Sequence, residues 1–472
     1  MTFTSTASPL VPGFARTGNR SSVRTPYVLA ALFGAVYTVV SVSRYLNFRT
    51  MSYDLGIFEQ VVRAYAHLDA PVADLKGAGF VIFGDHFSPV TALLAPLYRL
   101  APSPVTLLVA QSALFAVSVI PVTRAAGRVL GVGRGAATGV AYGLSWGVQR
   151  AVDFDFHEIC FAVPLIAWAL EALLLRRWCA TLAWTLPLVL VKEDLGLTLA
   201  VIAGLVACAK APVSARTRAV AAGAALFGLV ACLVCLIVVI PAFNPTGTYG
   251  FWSKLADTSA DPAAGNGIGE RIETLLWVVV PTTGLLAVRS PLLLVAVPTL
   301  TWRFVSFEEH YWGTGWHYNV VLMPIVFLAL VDALRRSASS RRPWLRSFAG
   351  HLPAMAAAAA LALTVSLPFA KLTQPATYAI SDRARIGANV LGVIPDGATV
   401  EAGIAPIAYL SGRCRVFFIG NTGSVTPDYF AVEDTRRTES AVLGHARALR
   451  PGADYDVVAH GAGFWVLRLV RR

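Results

Sequence analysis

The stretch "YDLGIFEQ", residues 53–60, follows the first long apolar run of the chain almost immediately, and it sets two carboxylates, Asp54 and Glu59, among Leu55, Ile57 and Phe58. In a helix the two acids are five residues apart, about 140° around the axis, so they do not form one paired site. Taken alone, the segment reads as an interfacial amphipathic helix whose acids face water. Its surroundings decide whether Asp54 does more.

Those surroundings are strongly apolar. Of 472 residues, 56% are hydrophobic and 14% charged, and the mean hydropathy is +0.62. The apolar residues come in repeated long runs that no soluble core could absorb, which is the profile of a multi-pass membrane protein. The net charge of +12 lies in short clusters between the runs and forms no single basic patch, so it points to orientation in a bilayer and not to nucleic acid. The preference for Arg over Lys, with abundant Ala, Val and Gly, suggests a bacterial source. The residues ahead of the first run carry no small-residue cleavage pattern after it and read as a retained anchor. Five cysteines lie in or beside apolar runs and Cys414 stands apart, which excludes a disulfide framework. Cys232 and Cys235 sit inside one apolar run with no acid or His nearby, as small residues at a helix contact.

A bilayer core of about 30 Å takes roughly 20 apolar residues. Spans are expected near 26–43, 103–121, 135–150, 159–175, 178–191, 195–209, 219–241, 274–288, 291–305, 319–334 and 350–370, about eleven, several of them short. The basic clusters test this series. Arg16, Arg20 and Arg24; Arg124, Arg128 and Arg134; Arg176 and Arg177; Lys210, Arg216 and Arg218; Arg289; and Arg335, Arg336, Arg341, Arg342 and Arg346 all fall in alternate connections. They mark the cytoplasmic face.

The expected organisation is therefore a cytoplasmic segment at 1–25, a transmembrane domain at 26–370 with a long first extracytoplasmic loop at 44–102, and an extracytoplasmic domain at 371–472. In that tail the long apolar runs give way to short β-like segments, "ATVEA" (398–402), "RVFFI" (415–419), "YDVVAH" (455–460) and "FWVLRL" (464–469), parted by Gly, Pro and Asp turns. The fold class is an all-α polytopic membrane protein with a small C-terminal α/β domain. No internal repeat of the kind built into many transporters is visible.

The face opposite the basic clusters collects the remaining ionisable groups. "FGDHFSPV" (83–90) sets Asp85 and His86 between aromatic residues and a Pro-marked turn. "DFDFHEICF" (153–161) packs Asp153, Asp155, His157 and Glu158 into a very short connection; if it is extended, Asp153, Asp155 and His157 share one side. Such ligands suit a divalent cation or sugar hydroxyls equally. Lys192, Glu193 and Asp194 interrupt two apolar runs in "LVLVKEDLGL" (188–197), where the Lys can pair with its acids or receive a phosphate. "FEEHYWGTGWHYN" (307–319) adds Glu308, Glu309, His310 and His317 among aromatic residues that an interfacial belt alone would explain. No metal signature of fixed spacing is present, so a cation stays open. Solvated loop polarity would scatter acids and histidines over both faces. Their gathering on one face points to a single assembled site.

These motifs resemble the GT-C glycosyltransferase superfamily, in which an acid in the first long extracytoplasmic loop is followed by a His-containing motif on a polytopic scaffold. More narrowly, "DLGIFEQ", "GDHFSP", "DFHEICFAVPL", "KEDLGL" and "HYNVVLMP", with the tail "IPDGATVEA" and "YLSGR", resemble a bacterial family of predicted membrane proteins without an assigned reaction, grouped with those enzymes. The resemblance implies a catalytic or acceptor-binding acid, matched here by Asp54, and a polyprenyl-phosphate sugar donor entering from the bilayer. It transfers no role to the later clusters and offers no sequon-recognition motif.

The expectation is a multi-pass enzyme of the bacterial plasma membrane that moves a sugar from a polyprenyl-phosphate donor to a cell-envelope glycan, lipid or protein acceptor, with inversion if the displacement is single. Asp54 would be the base. Glu59, Asp85, His86, Asp153, Asp155, His157, Glu158, Lys192, Glu193, Asp194, Glu308, Glu309, His310 and His317 are candidate substrate contacts. Lys192, His157, His86, Arg303 and His317 are candidates to meet the departing phosphate. A transporter or flippase of a lipid-linked or anionic substrate is the competing reading, favoured by intramembrane acids. An envelope scaffold comes third.

Overall fold

The computed structural model describes residues 20–256, 267–436 and 438–471. Arg16 and the middle of the 242–272 loop lie outside the described residues. The chain opens with α1 (Arg20–Leu46) and α2 (Tyr53–His67), and returns through α3 (Pro104–Leu130) and α4 (Val132–Gly143). Next come α5 (Ala162–Leu174), α6 (Trp178–Thr185), α7 (Leu195–Ala207), α8 (Ala215–Val234), α9 (Ile268–Thr283), α10 (Val297–Val305), α11 (Leu322–Ala338) and α12 (Pro343–Thr364).

Among the described residues, five helices are long and apolar enough to cross a bilayer: Arg24–Leu46, Pro104–Leu130, Ala215–Phe243, His317–Ala338 and Pro343–Thr364. The shorter expected spans are helical too; Leu195–Ala207 is continuous and others are broken. Trp178–Leu190 joins α6 to a 3-10 turn, and Pro291–Val305 joins a 3-10 turn to α10. Pro187 and Pro291 stand in the first turns of those 3-10 pieces, where a missing N–H costs least. The stretch 135–150 bends between α4 and a helix at Trp146–Val152.

Helix α11 is apolar on every side from Leu322 through Val331 and is buried on every side against α3, α5, α9 and α12. Helix α8, equally apolar, is mostly exposed outward and packs chiefly on α7. That pair closes on small residues: a side chain on Gly196 would strike the Gly228 carbonyl, and one on Gly228 would lie 3.3 Å from the Ala200 amide. Cys232 sits at the same crossing, so it serves helix approach.

The helices set the basic clusters at one end of the bundle. There the acids are consumed: Arg124 and Arg128 bind Glu171, and Arg335 and Arg336 reach the Asp332 carboxylate at 2.8 and 2.7 Å. The other end carries α2, the connections around 84–90, 153–161 and 191–194, the 306–319 turn, and the C-terminal sheet.

That sheet has the order β2-β1-β3-β5-β4, with β1 (Thr399–Ala402), β2 (Arg415–Phe418), β3 (Tyr429–Glu433), β4 (Asp454–Gly461) and β5 (Phe464–Arg471). β2, β1 and β3 run parallel, and β5 and β4 are antiparallel to their neighbours. Helices α13 (Asp382–Leu391), α14 (Ile404–Leu410) and α15 (Glu439–Leu449) flank it. Four strands fall on the four tail segments; β3, short and bounded by Asp428 and Asp434, has no such pattern in sequence. The sheet domain docks on α2. Gln60 donates to the Val416 carbonyl at 2.8 Å, and Arg63 donates to those of Ser411 and Cys414 at 2.7 and 3.0 Å. Ile57 and Val61 join its core, while Leu55, Phe58 and Val62 join the bundle's. Helix α2 is thus clamped between the two.

Candidate active site

The entry to α2 is bent. Ser52, its first capping residue, takes a left-handed backbone with φ 61°, a conformation that costs a non-glycine residue on the order of 1–2 kcal/mol. Its neighbours over-determine it. The Met51 amide donates to Oδ1 of Asp155 at 3.2 Å, and the hydroxyls of Ser52 and Thr50 meet at 2.8 Å. Two residues on, Asp54 is partly buried and lies within electrostatic reach of His157, Glu158, Lys76 and His86. Glu59, on another side of the helix, is fully buried and accepts from the Tyr98 hydroxyl at 2.9 Å. The two carboxylates diverge, as their spacing requires.

Around Asp54 the acids come paired. Nδ1 of His157 lies 2.5 Å from one Glu158 oxygen and Nζ of Lys192 lies 3.3 Å from the other. Burial alone would raise the Glu158 carboxyl, but His157 and Lys192 outweigh it and hold it well below its usual range. His86 Nδ1 meets Glu193 at 2.8 Å, and the Phe87 amide and Tyr249 hydroxyl donate to the same carboxylate, each at 3.2 Å. Burial would lower His86, yet Glu193 raises it on balance, which favours the imidazolium. Lys76 meets Asp85 at 3.0 Å; burial opposes ionisation of Asp85, and His86 and Lys76 reverse that.

Asp54 and Asp194, among the described residues, form no ion pair. Desolvation raises Asp54 above the ordinary carboxylate value, His157 opposing it. Asp194 is pushed up to about 6, chiefly by burial. A carboxylate left unpaired beside fixed cations, with its pKa raised, has the properties of a general base.

Beside this network lies a cavity of about 200 Å³. Its polar lining carries His86, His157, Lys192 and Lys254 together with the acids Glu193 and Asp194; its apolar lining carries Leu197, Leu236, Trp252 and Trp302. Leu236 belongs to a π-helical turn at Cys235–Val239, where the long outer helix loosens its ladder next to the cavity. A lining that passes from charged groups, Lys192 and Lys254 among them, to hydrocarbon suits an amphiphile with a polar head.

The other sequence candidates are distributed as follows. His317 is buried with its ring stacked on His157 at 3.9 Å between centroids. Asp155 is buried behind the entry to α2. Asp153 lies apart from the cavity and ties Arg44, at 3.3 Å, to Lys371, at 2.5 Å. Glu308 meets His310 at 2.6 Å and Lys254 at 3.6 Å near the surface, and Glu309 is exposed. Arg303 is buried, outside the cavity lining, and each of its three nitrogens donates to the 311–319 segment, to the carbonyls of Tyr311 and Gly313 and to Asn319, so it holds the 306–319 turn. Among the described residues no group of three or more His, Cys, Asp and Glu is placed to hold a metal ion.

Sequence reasoning left out Lys76, Tyr249, Lys254 and Tyr318. Lys76 and Lys254 are single cations in otherwise ordinary loops, and only the fold brings them to the site. Lys254 stands over the Phe251 ring at 4.6 Å and donates to the Tyr311 hydroxyl at 3.1 Å.

No curated protein matches the chain by sequence. Among solved structures, ArnT from Cupriavidus metallidurans bound to undecaprenyl phosphate is similar, with a TM-score of 0.58 at 16% identity, over 94% of this chain and 98% of that one. The apo structure of the same protein gives a TM-score of 0.50 at 15% identity, with the same coverage. The likeness shows a GT-C fold. By the match of its family model over residues 44–450, the chain belongs to the predicted membrane protein family DUF2079.

Proposed function

We propose that this protein is a membrane glycosyltransferase that moves a sugar from a polyprenyl-phosphate donor to a hydroxyl of a cell-envelope acceptor on the extracytoplasmic side. The observation that carries the reading is the unpaired Asp54 carboxylate within electrostatic reach of His157 and His86, which line a cavity charged on one side, with Lys192 and Lys254, and apolar on the other. Asp54 takes the proton of the acceptor hydroxyl as its oxygen attacks the anomeric carbon. The bond from that carbon to the phosphate oxygen breaks, and the lipid phosphate leaves with the electron pair. Lys192 and the His86 imidazolium meet its charge. The fold shared with an ArnT structure bound to undecaprenyl phosphate supports a polyprenyl-phosphate ligand. The basic clusters at the opposite end of the bundle support that side.

The test is transfer by the purified protein from a panel of radiolabelled polyprenyl-phosphate sugars to a cell-envelope extract. Asp54→Asn, folded as the wild type, is expected to lose transfer; full activity in that variant excludes Asp54 as base. A reporter fused after residue 372 is expected to read as extracytoplasmic, and a cytoplasmic signal overturns the side.

A further inference from the structure

Asp155 sits in the densest acidic motif of the chain, yet the structure turns it away from the cavity and onto backbone. Its Oδ1 accepts the Met51 amide at 3.2 Å, and the Ser52 amide faces the same carboxylate. Its Oδ2 is buried with no hydrogen-bond partner. The carbonyl of Asp155 is itself held by the Gln111 side chain at 3.2 Å, and the next-but-one amide, His157, donates to the same Gln111 at 3.0 Å. Gln111 therefore pins the 155–157 segment to α3, and the segment presents Asp155 to the entry of α2 and His157 to the cavity.

What Asp155 holds is the strained point of that entry. Ser52 is the left-handed residue ahead of α2, its own side chain makes no cap to the helix, and Asp54 follows two residues later. Were the amides at 51 and 52 released, the turn could relax, and the first turn of α2 would rotate with it.

We infer that Asp155 is a positioning residue, which fixes the Met51–Ser52 turn and thereby holds the Asp54 carboxylate in place near His157, a residue of the cavity lining, without touching substrate itself. The inference rests on Asp54 being the base for its effect on rate, but the turn it fixes can be read without any donor.

The chemistry of the side chain makes the test specific. Asn keeps a carbonyl oxygen where Oδ1 lies and puts its amide where Oδ2 has no partner to lose. Ala keeps neither. In the transfer assay Asp155→Ala is expected to lower kcat about 10- to 100-fold, as small misplacements of a reacting group do, with KM changed less than 3-fold. Asp155→Asn is expected to retain kcat within about 3-fold. Hydrogen–deuterium exchange of the peptide covering Met51 and Ser52 is expected to speed up in Asp155→Ala and to stay at the wild-type rate in Asp155→Asn and Asp54→Asn. An Asp155→Ala protein with wild-type kcat and unchanged exchange overturns the inference, as does an Asn variant as impaired as Ala. Should Asp155→Ala fail to fold, Asp155→Ser takes its place, since its shorter oxygen does not reach the amides. If Asp54→Asn stays fully active while exchange at 51–52 responds as expected, the reading of Asp54 as base fails and the turn-holding role stands. If Asp54→Asn is inactive and exchange does not respond, only the inference about Asp155 fails.

Discussion

Nζ of Lys192 lies 3.3 Å from Oε1 of a fully buried Glu158, between two apolar helices. Removing either charge alone takes the nearest counter-charge from the other in a medium that solvates it poorly, although His157 stays beside Glu158 and Glu193 and Asp194 stay near Lys192. Lys192→Met and Glu158→Gln are each expected to cost about 3–5 kcal/mol of stability. The double variant is expected to cost clearly less than their sum. Unfolding followed in detergent as a double-mutant cycle measures this, and simple additivity would show that the two do not depend on each other.

The unpaired state of Asp54 has a pH signature. Burial raises its carboxyl above the usual value, outweighing the pull of His157. A base works only when ionised, so kcat/KM for transfer is expected to fall as pH drops through that raised pKa. The acid limb should therefore lie above about pH 4, the value of an unperturbed Asp. A limb at or below that value would place the base elsewhere.

Much of this arrangement was legible in sequence, and the reason is the bilayer. About eleven apolar runs, read against alternate basic clusters, led to a bundle of helices, five of which among the described residues are long enough to cross a bilayer, because apolar length is a local property. The face that gathers His86, His157, Glu158, Lys192 and Glu193 followed from that count. What each residue does there was not legible, since it depends on contacts across the fold. Asp153 and Asp155 are two residues apart, yet one meets Arg44 and Lys371 and the other meets the Met51 amide. Arg303 carries a charge that suits phosphate, but it is buried outside the cavity lining and each of its nitrogens donates to a turn 8 to 16 residues ahead. Strand β3 was hidden for a similar reason: a central, buried strand of five residues shows no alternation to read.

Gly56 marks where α2 meets the sheet domain. A Cβ there would strike the Ile407 side chain, lie 2.9 Å from Cδ1 of Leu75 and reach Oγ of Ser411 at 3.0 Å. Gly normally weakens a helix interior relative to Ala, so Gly56→Ala would stabilise α2 if propensity decided the matter. Packing is expected to win instead, with a loss of about 1–3 kcal/mol and faster proteolysis of the residues after 371. A gain in thermal stability would mean that the docking of α14 on α2 is looser than the structure shows.

Glu59 offers a second titration, separate from Asp54. Burial pushes it up to about 8, although the Tyr98 hydrogen bond and Arg63 act in the opposite sense. In an unfolded chain a Glu titrates near about 4.3. Between those two values the folded protein keeps a proton that the unfolded chain has released, so this group makes the protein less stable as pH rises from about 4 to about 8. Glu59→Gln keeps an acceptor for the Tyr98 hydroxyl and removes the titration. Thermal unfolding of the two proteins is expected to nearly coincide at pH 5. At pH 8 the variant is expected to be more stable than the wild type by on the order of a few kcal/mol. A gap between them that stays constant from pH 5 to pH 8 would show that Glu59 does not titrate in that window.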